Sequence, residues 1–257
     1  MLSLKGKTAV VTGSKRLGSV VVKRLAQEGI NLAIVYKESL EEVLQLREEV
    51  SPYVEKVHLI QADVNVEEDV QRLLNESKEE LGQICFLVNL ASGFPRATFS
   101  DLNGQEWDRA MADAKGNYLL AVYAARHMMN NPGNTKGHII MCSDTSAGET
   151  PHLNYLAHLT AKAAVTFMGR AFALELASRG ILVNTIAPRP PVKHPRMQTE
   201  TRERKMNEKQ SMWSLVAINP SLVFGPALNI HSDFSSKRIM MQLCNGDMRW
   251  GTPDLTY

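Results

Sequence analysis

The chain has 257 residues, enough to bury one sizeable core in a single α/β domain. Its 29 basic and 27 acidic residues are mixed along the chain and leave a net charge of +2, a balance that points to no nucleic acid and no membrane surface. No apolar run reaches bilayer-spanning length, and the start MLSLKGKTAVV enters a strand without an apolar signal segment. Cys85, Cys142 and Cys244 are odd in number and scattered, so free thiols in the cytoplasm are expected rather than disulfides or a metal site.

Strand and helix patterns then alternate. Lys7–Thr12 is a β-branched run suited to a buried parallel strand, and Leu17–Glu28 is an amphipathic helix stopped by Gly29. Asn31–Tyr36 and Leu40–Val50 repeat the pair, the helix ending at Ser51-Pro52. Val57–Gln61 precedes a helix over Val66–Leu81 closed by Gly82; Ile84–Leu90 precedes a long helix over Gln105–Asn130. His138–Cys142, a helix from Tyr155 to Ser178 and Leu182–Ile186 complete the series. Repeated βα units imply a parallel sheet covered on both faces. After Pro188 the pattern changes. Arg189-Pro190-Pro191 suits neither helix nor central strand, 193–215 reads as a lid or solvated helix, Ser221–His231 as a last strand and 235–257 as a loosely ordered tail.

The turn Thr12-Gly13-Ser14-Lys15-Arg16-Leu17-Gly18-Ser19 joins the first strand to the first helix. Glycines at that junction let backbone N–H groups approach a pyrophosphate at the helix N-terminus. Two glycines also fit an ordinary βα loop, but this position in an alternating chain favours a dinucleotide. At the end of the second strand an acid would accept a ribose 2′-hydroxyl and select NAD. Tyr36-Lys37-Glu38-Ser39 stands there instead. With Lys15 and Arg16 these groups suit a 2′-phosphate, although each cation would also serve as a solvated surface residue. NADP(H) is expected ahead of NAD(H). Asp63-Val64 follows the third strand, where Asp63 could equally cap the next helix, and Asn89-Leu90-Ala91-Ser92 follows the fourth. Farther on, NYLAHLTAKAA (residues 154–164) puts His158 and Lys162 four residues apart, on one helix face.

In this order over residues 5–188, the motifs resemble those of the short-chain dehydrogenase/reductase family. The first turn is similar to the family's Thr-Gly-x-x-x-Gly-x-Gly, one residue shorter and without its middle glycine. Arg16-Leu17-Gly18 and Asn89–Ser92 are closest to pteridine reductase-like members. The resemblance implies a Rossmann-type, doubly wound parallel sheet in one domain over 1–234, with a shortened C-terminal region. It places a cofactor against Gly13, Ser14, Lys15, Arg16, Leu17, Gly18, Tyr36, Lys37 and Ser39, and against Asp63, Val64, Asn89, Ala91, Lys162, Pro188 and Val192. It also implies a small-molecule substrate and a homo-oligomer through the helices at 105–130 and 155–178.

The catalytic group departs from the family pattern, and so does the chain downstream, where Pro188-Arg189 replaces the family's Pro-Gly and roughly one helix is lacking from Pro188 to Gly225. His158 stands where the family has its proton-donating tyrosine, while Lys162 is retained. The hydroxyl position falls on Asp144 or Thr145 in MCSDTSAG. No asparagine occupies the relay position in WDRAMADAKG, where Asp113 is the nearest polar residue and is expected to be an exposed helix aspartate. A phenol starts from a pKa of ~10 and imidazolium from ~6.5. A nearby ammonium makes either lose its proton more readily, which leaves a histidine neutral unless Asp144 pairs with it. A positioned histidine acid contributes about 10²–10⁴-fold, so one reading is a reductase using His158, Lys162 and Asp144. In the other, His158 fills the tyrosine's space and the protein is a non-redox enzyme or nucleotide-binding scaffold. Tyr155 is either a stand-in donor or a pocket wall. A damaged gene product is a third reading, prompted by the one-residue gaps.

Overall fold

A computed structural model describes residues 4–148, 151–189 and 214–218. Six parallel strands, β1 (Thr8–Thr12), β2 (Asn31–Tyr36), β3 (Val57–Gln61), β4 (Ile84–Asn89), β5 (Gly137–Cys142) and β6 (Ile181–Arg189), stand in the order β3-β2-β1-β4-β5-β6. The helices are α1 (Leu17–Gln27), α2 (Leu40–Val50), α3 (Glu67–Leu81), α4 (Gly104–Met128) and α5 (Leu156–Ala177). The pleat sends alternate strand residues to opposite faces. Ala9 and Val11 of β1 therefore join Val22 and Leu25 of α1 and Val43 and Leu46 of α2. Val10 packs on the other face with Val70 and Leu73 of α3, Leu120 of α4 and Val165 of α5. Both faces are covered, as the unbroken apolar strands require.

The element boundaries follow the sequence patterns to within a few residues up to β6. That strand runs on through Pro188 and Arg189, beyond the expected Ile186, and adds β7 (Ser214–Ile218) as an antiparallel edge. Pro188 is tolerated because β5 pairs with β6 only as far as Ile186, so its missing N–H breaks no bond on that side. Ser214 and Leu215, taken from sequence as the end of a lid, begin that edge strand. The rest of 193–215, Val192, the expected strand at Ser221–His231 and the tail from 235 lie outside the described residues. Strand order reverses between β1 and β4, where the helices leaving their C-terminal ends diverge to opposite faces. Crevices at such a reversal are where open α/β sheets bind ligands.

Candidate active site and dinucleotide cleft

At that reversal lies a cleft of about 750 Å³. Its floor is the first turn, and its geometry explains the two glycines. Gly13 adopts φ +69°, and a Cβ there would come within 2.3 Å of the Leu90 carbonyl carbon. A Cβ on Gly18 would come within 1.9 Å of the Gly13 oxygen. The turn and the segment after β4 are thus in backbone contact, leaving no space for side chains. Arg16 has φ 50° and no side chain caps α1; the Gly18 N–H donates to the Lys15 carbonyl at 2.9 Å, and no side chain covers the rest of the helix end that faces the cleft. Thr12 Oγ1 donates to Asn89 Oδ1 at 2.5 Å, and the same oxygen accepts from the Ala91 N–H at 3.3 Å, tying β1 to the β4 exit. Glycine cradle, uncapped helix end and elongated cleft fit a dinucleotide.

At the β2–β3 end, the cations expected to meet a 2′-phosphate have partners of their own. Lys15 Nζ is 2.6 Å from Glu42 of α2, and Lys37 Nζ is 2.9 Å from Asp63. Asp63 also accepts from the Asn65 N–H at 3.0 Å. Burial pushes its carboxyl upward, but Lys37 and that N–H outweigh burial and hold the pKa below the usual range. The Asp63 hydrogen bond and charge raise Lys37. Asp63 is therefore not the cap of α3, since Val66 occupies that position without a side-chain bond. Arg16 has no ion-pair partner among the described residues. Tyr36, Ser39 and Val64 line the same end.

The opposite end holds Lys162, His158 and Asp144, together with Cys142, Pro188 and Phe94. Lys162 is 2% exposed; its Nζ donates to the Cys142 carbonyl at 3.0 Å and stands 3.9 Å from Asp113 Oδ2. His158 is 3% exposed, and its Nε2 has no hydrogen-bond partner among the described residues. Desolvation, then the Lys162 charge, lower its pKa below the ordinary histidine value against the weaker pull of Asp113 and Asp144. The ring is therefore neutral near pH 7. The Asp144–His158 ion pair considered from sequence does not form: Asp144 caps a short 3₁₀ turn instead, accepting from the Ser146 N–H at 2.7 Å. Thr145 is buried in that turn and does not line the cleft. Of the two candidates for the hydroxyl position, Asp144 is the one beside the cleft.

Sequence reasoning misjudged Asp113. Its side chain is only 16% exposed and accepts from Ser92 Oγ at 2.9 Å and from the Gly93 N–H at 3.1 Å. A helix face pattern signals burial but not which loop will fold over it. Asn117, one turn on, was passed over. Its Nδ2 donates to the Asp113 carbonyl at 2.8 Å, and its buried Oδ1 has no described partner. Tyr155 precedes α5, and its ring packs 4.5 Å from that of Phe94, which lies edge-on to His158 at 4.8 Å. These three rings pack together at the lysine end; Phe94 and His158 line the cleft, and Tyr155 stands behind them rather than among the lining residues.

The model of the short chain dehydrogenase family matches residues 7–206. "Glucose 1-dehydrogenase 2" of Bacillus subtilis is 32% identical over 189 residues, covering 72% of each chain. A short chain dehydrogenase from Burkholderia cenocepacia, solved in complex with NADP, is 28% identical with TM-score 0.66 over 72% of this chain and 74% of that one. An NAD+-bound xylitol dehydrogenase is 26% identical with TM-score 0.67, covering 73% and 71%. Sequence, sheet order and cleft agree: the chain belongs to the short-chain dehydrogenase/reductase family of oxidoreductases.

Proposed function

We propose that the protein is an NADP(H)-dependent reductase acting on the carbonyl or imine of a small molecule, closest in its motifs to pteridine reductase-like members. The observation that carries this is the convergence, in one cleft, of the Gly13 turn and Asn89 with Lys162, His158 and Phe94. The cofactor would lie along Gly13–Gly18, Tyr36, Lys37, Ser39, Asp63, Val64, Asn89, Ala91 and Pro188, with Lys162 at its far end, and would supply the hydride. One solved relative carries NADP and another NAD+, so the preference rests on this chain's own groups. Arg16 lines the cleft without an acidic partner among the described residues, and no acid ends β2 as it would in an NAD-selective site. Lys15 and Lys37 add positive charge once an incoming phosphate competes with Glu42 and Asp63.

At the reacting end, the buried Lys162 ammonium supplies positive charge, fixed by the Cys142 carbonyl and Asp113. A neutral His158 can donate an N–H hydrogen bond to a substrate oxygen, but it is a poor proton source. Native turnover is therefore expected to be slow. NADPH oxidation over a panel of carbonyl and imine substrates should show weak activity in the wild type, and His158→Tyr should raise kcat by roughly 10²-fold or more. Failure to bind NADPH in a fluorescence titration would remove the cofactor reading. Tight binding without turnover, in both forms, favours the second reading, a nucleotide-binding scaffold or non-redox enzyme, to which the neutral ring already lends support.

A homo-oligomer through α4 and α5 belongs to the same proposal. Trp107 and Tyr118 on α4, and Phe167 and Leu174 on α5, are exposed, and apolar side chains of this size gather at interfaces. A cytoplasmic location fits the reduced cysteines, and no described helix is long and apolar enough to cross a membrane.

A further inference from the structure

Beyond the loop that carries Phe94 lies a second pocket of about 480 Å³, which shares no lining residue with the dinucleotide cleft. Arg96 lines it from the loop after β4 and Arg109 from the second turn of α4. Ser100 and Asp101, of the short 3₁₀ turn Phe99–Asp101, and Asn103 at the α4 N-cap complete its polar wall. The guanidinium groups are its open donors. Arg96 has no ion-pair partner among the described residues, and Arg109 Nη1 stands 3.6 Å from Glu106 Oε1, too far for a hydrogen bond. The acids are engaged elsewhere. Asp101 accepts from the Thr98 hydroxyl at 2.5 Å, and Thr98 is bonded to the Ser100 hydroxyl at 2.8 Å. Glu106 lies in the first turn of α4, where the helix dipole favours negative charge, and its N–H is already taken by the Asn103 side chain at 3.0 Å. What the pocket offers a ligand is therefore paired, planar N–H donors, a match for the oxygens of a carboxylate or phosphate.

The pocket adjoins the reacting end of the cleft. Arg96 is two residues from Phe94, so their Cα atoms are no more than about 7 Å apart. Phe94 lines the cleft edge-on to His158. The loop between the two pockets is tied down, because the Ala97 N–H donates to the Asn154 carbonyl at 3.0 Å, and Asn154 holds a left-handed φ of 70° just before α5. We propose that this pocket is an anion-binding subsite, in which Arg96 and Arg109 hold a carboxylate or phosphate carried by the molecule whose carbonyl lies at His158. The anion site stands on the pocket's own residues; giving the anion to the substrate rests on the reductase reading.

The test uses the full chain with NADPH present. Inorganic phosphate and acetate are titrated separately, against sodium chloride at matched ionic strength. The side-chain Nε–H signals of Arg96 and Arg109 are followed by NMR and assigned through Arg96→Gln and Arg109→Gln. Because the readout is local to the pocket, anions that bind at the Gly13 turn do not confuse it. Both signals should move saturably with at least one of the two anions, and each substitution should weaken that binding by roughly tenfold or more. Glu106→Gln removes the acid nearest Arg109 and should tighten it about two- to threefold. Shifts no larger than those from chloride, or binding that survives in both arginine variants, overturn the inference. A stronger response to phosphate assigns a phosphate ester, and a stronger response to acetate a carboxylate. In turnover, keto acids and keto phosphates are compared with their uncharged methyl esters. The charged member should have the lower KM in the wild type, and each arginine variant should shrink that preference about tenfold, through KM rather than kcat. Equal KM for charged and uncharged members overturns the assignment to the substrate. If no carbonyl is reduced while the arginine signals still respond, the reductase reading fails and the anion site stands.

Discussion

The two ends of the cleft are built on different principles. The glycine turn is fixed by excluded volume: Gly13 and Gly18 touch backbone atoms, and no side-chain partner is needed to define their positions. The lysine end is fixed by charge and hydrogen bonds among Lys162, Asp113, Ser92 and Gly93, around a histidine whose Nε2 is left without a described partner. A steric cradle tolerates little change. A network of polar contacts can exchange members without losing its overall arrangement.

The steric end should break most completely. Gly13→Ala combines a positive φ with a 2.3 Å backbone clash, and should cost roughly 3 kcal/mol or more of stability and abolish NADPH binding. Thermal unfolding and fluorescence titration measure both. A variant that melts within a degree or two of the wild type would show that the two segments separate easily.

The histidine end can be judged against a second histidine remote from the cleft. His138 on β5 stacks on Phe86 at 5.1 Å, has an unpartnered Nδ1, and is driven down to a pKa of about 4 by burial, aided by Lys7. Because the folded value lies below the unfolded one, the unfolded chain takes up the proton first as pH falls. Stability is full above about pH 6.5 and declines toward pH 4, by roughly 3 kcal/mol at 1.4 kcal/mol per unit. His158 is shifted in the same direction and adds to the loss. Urea denaturation at pH 7.5 and pH 4.5 should show the decline, and His138→Phe should reduce it while leaving NADPH affinity unchanged. An undiminished decline would place the acid sensitivity elsewhere.

The smallest effect belongs to the exposed ion pair at the β2–β3 end. Glu42→Gln releases Lys15 and should tighten NADPH binding about two- to threefold, with NADH affinity unchanged. Equal tightening of both cofactors would mean that Lys15 senses the shared pyrophosphate rather than the 2′-phosphate.

The sequence by itself determined the alternation of β1 through β6 with five helices, because apolar period and helix-stopping glycines are local properties of the chain. It also located the Gly13 turn, since only glycine serves at φ +69° against a neighbouring backbone. The spacing of His158 and Lys162 on α5 was legible for the same reason. Tertiary structure decided the partners. Lys15 meets Glu42 and Lys37 meets Asp63 only because α2 and β3 are brought against the ends of β1 and β2. Asp113 was read from its helix as solvent-facing, but the loop after β4 folds over it. Asp144 is held by the backbone of its own turn rather than by His158. Periodicity specifies which face of an element is buried; which charge stands beside which depends on the packing of elements 20 or more residues apart, and that sets the protonation of the cleft.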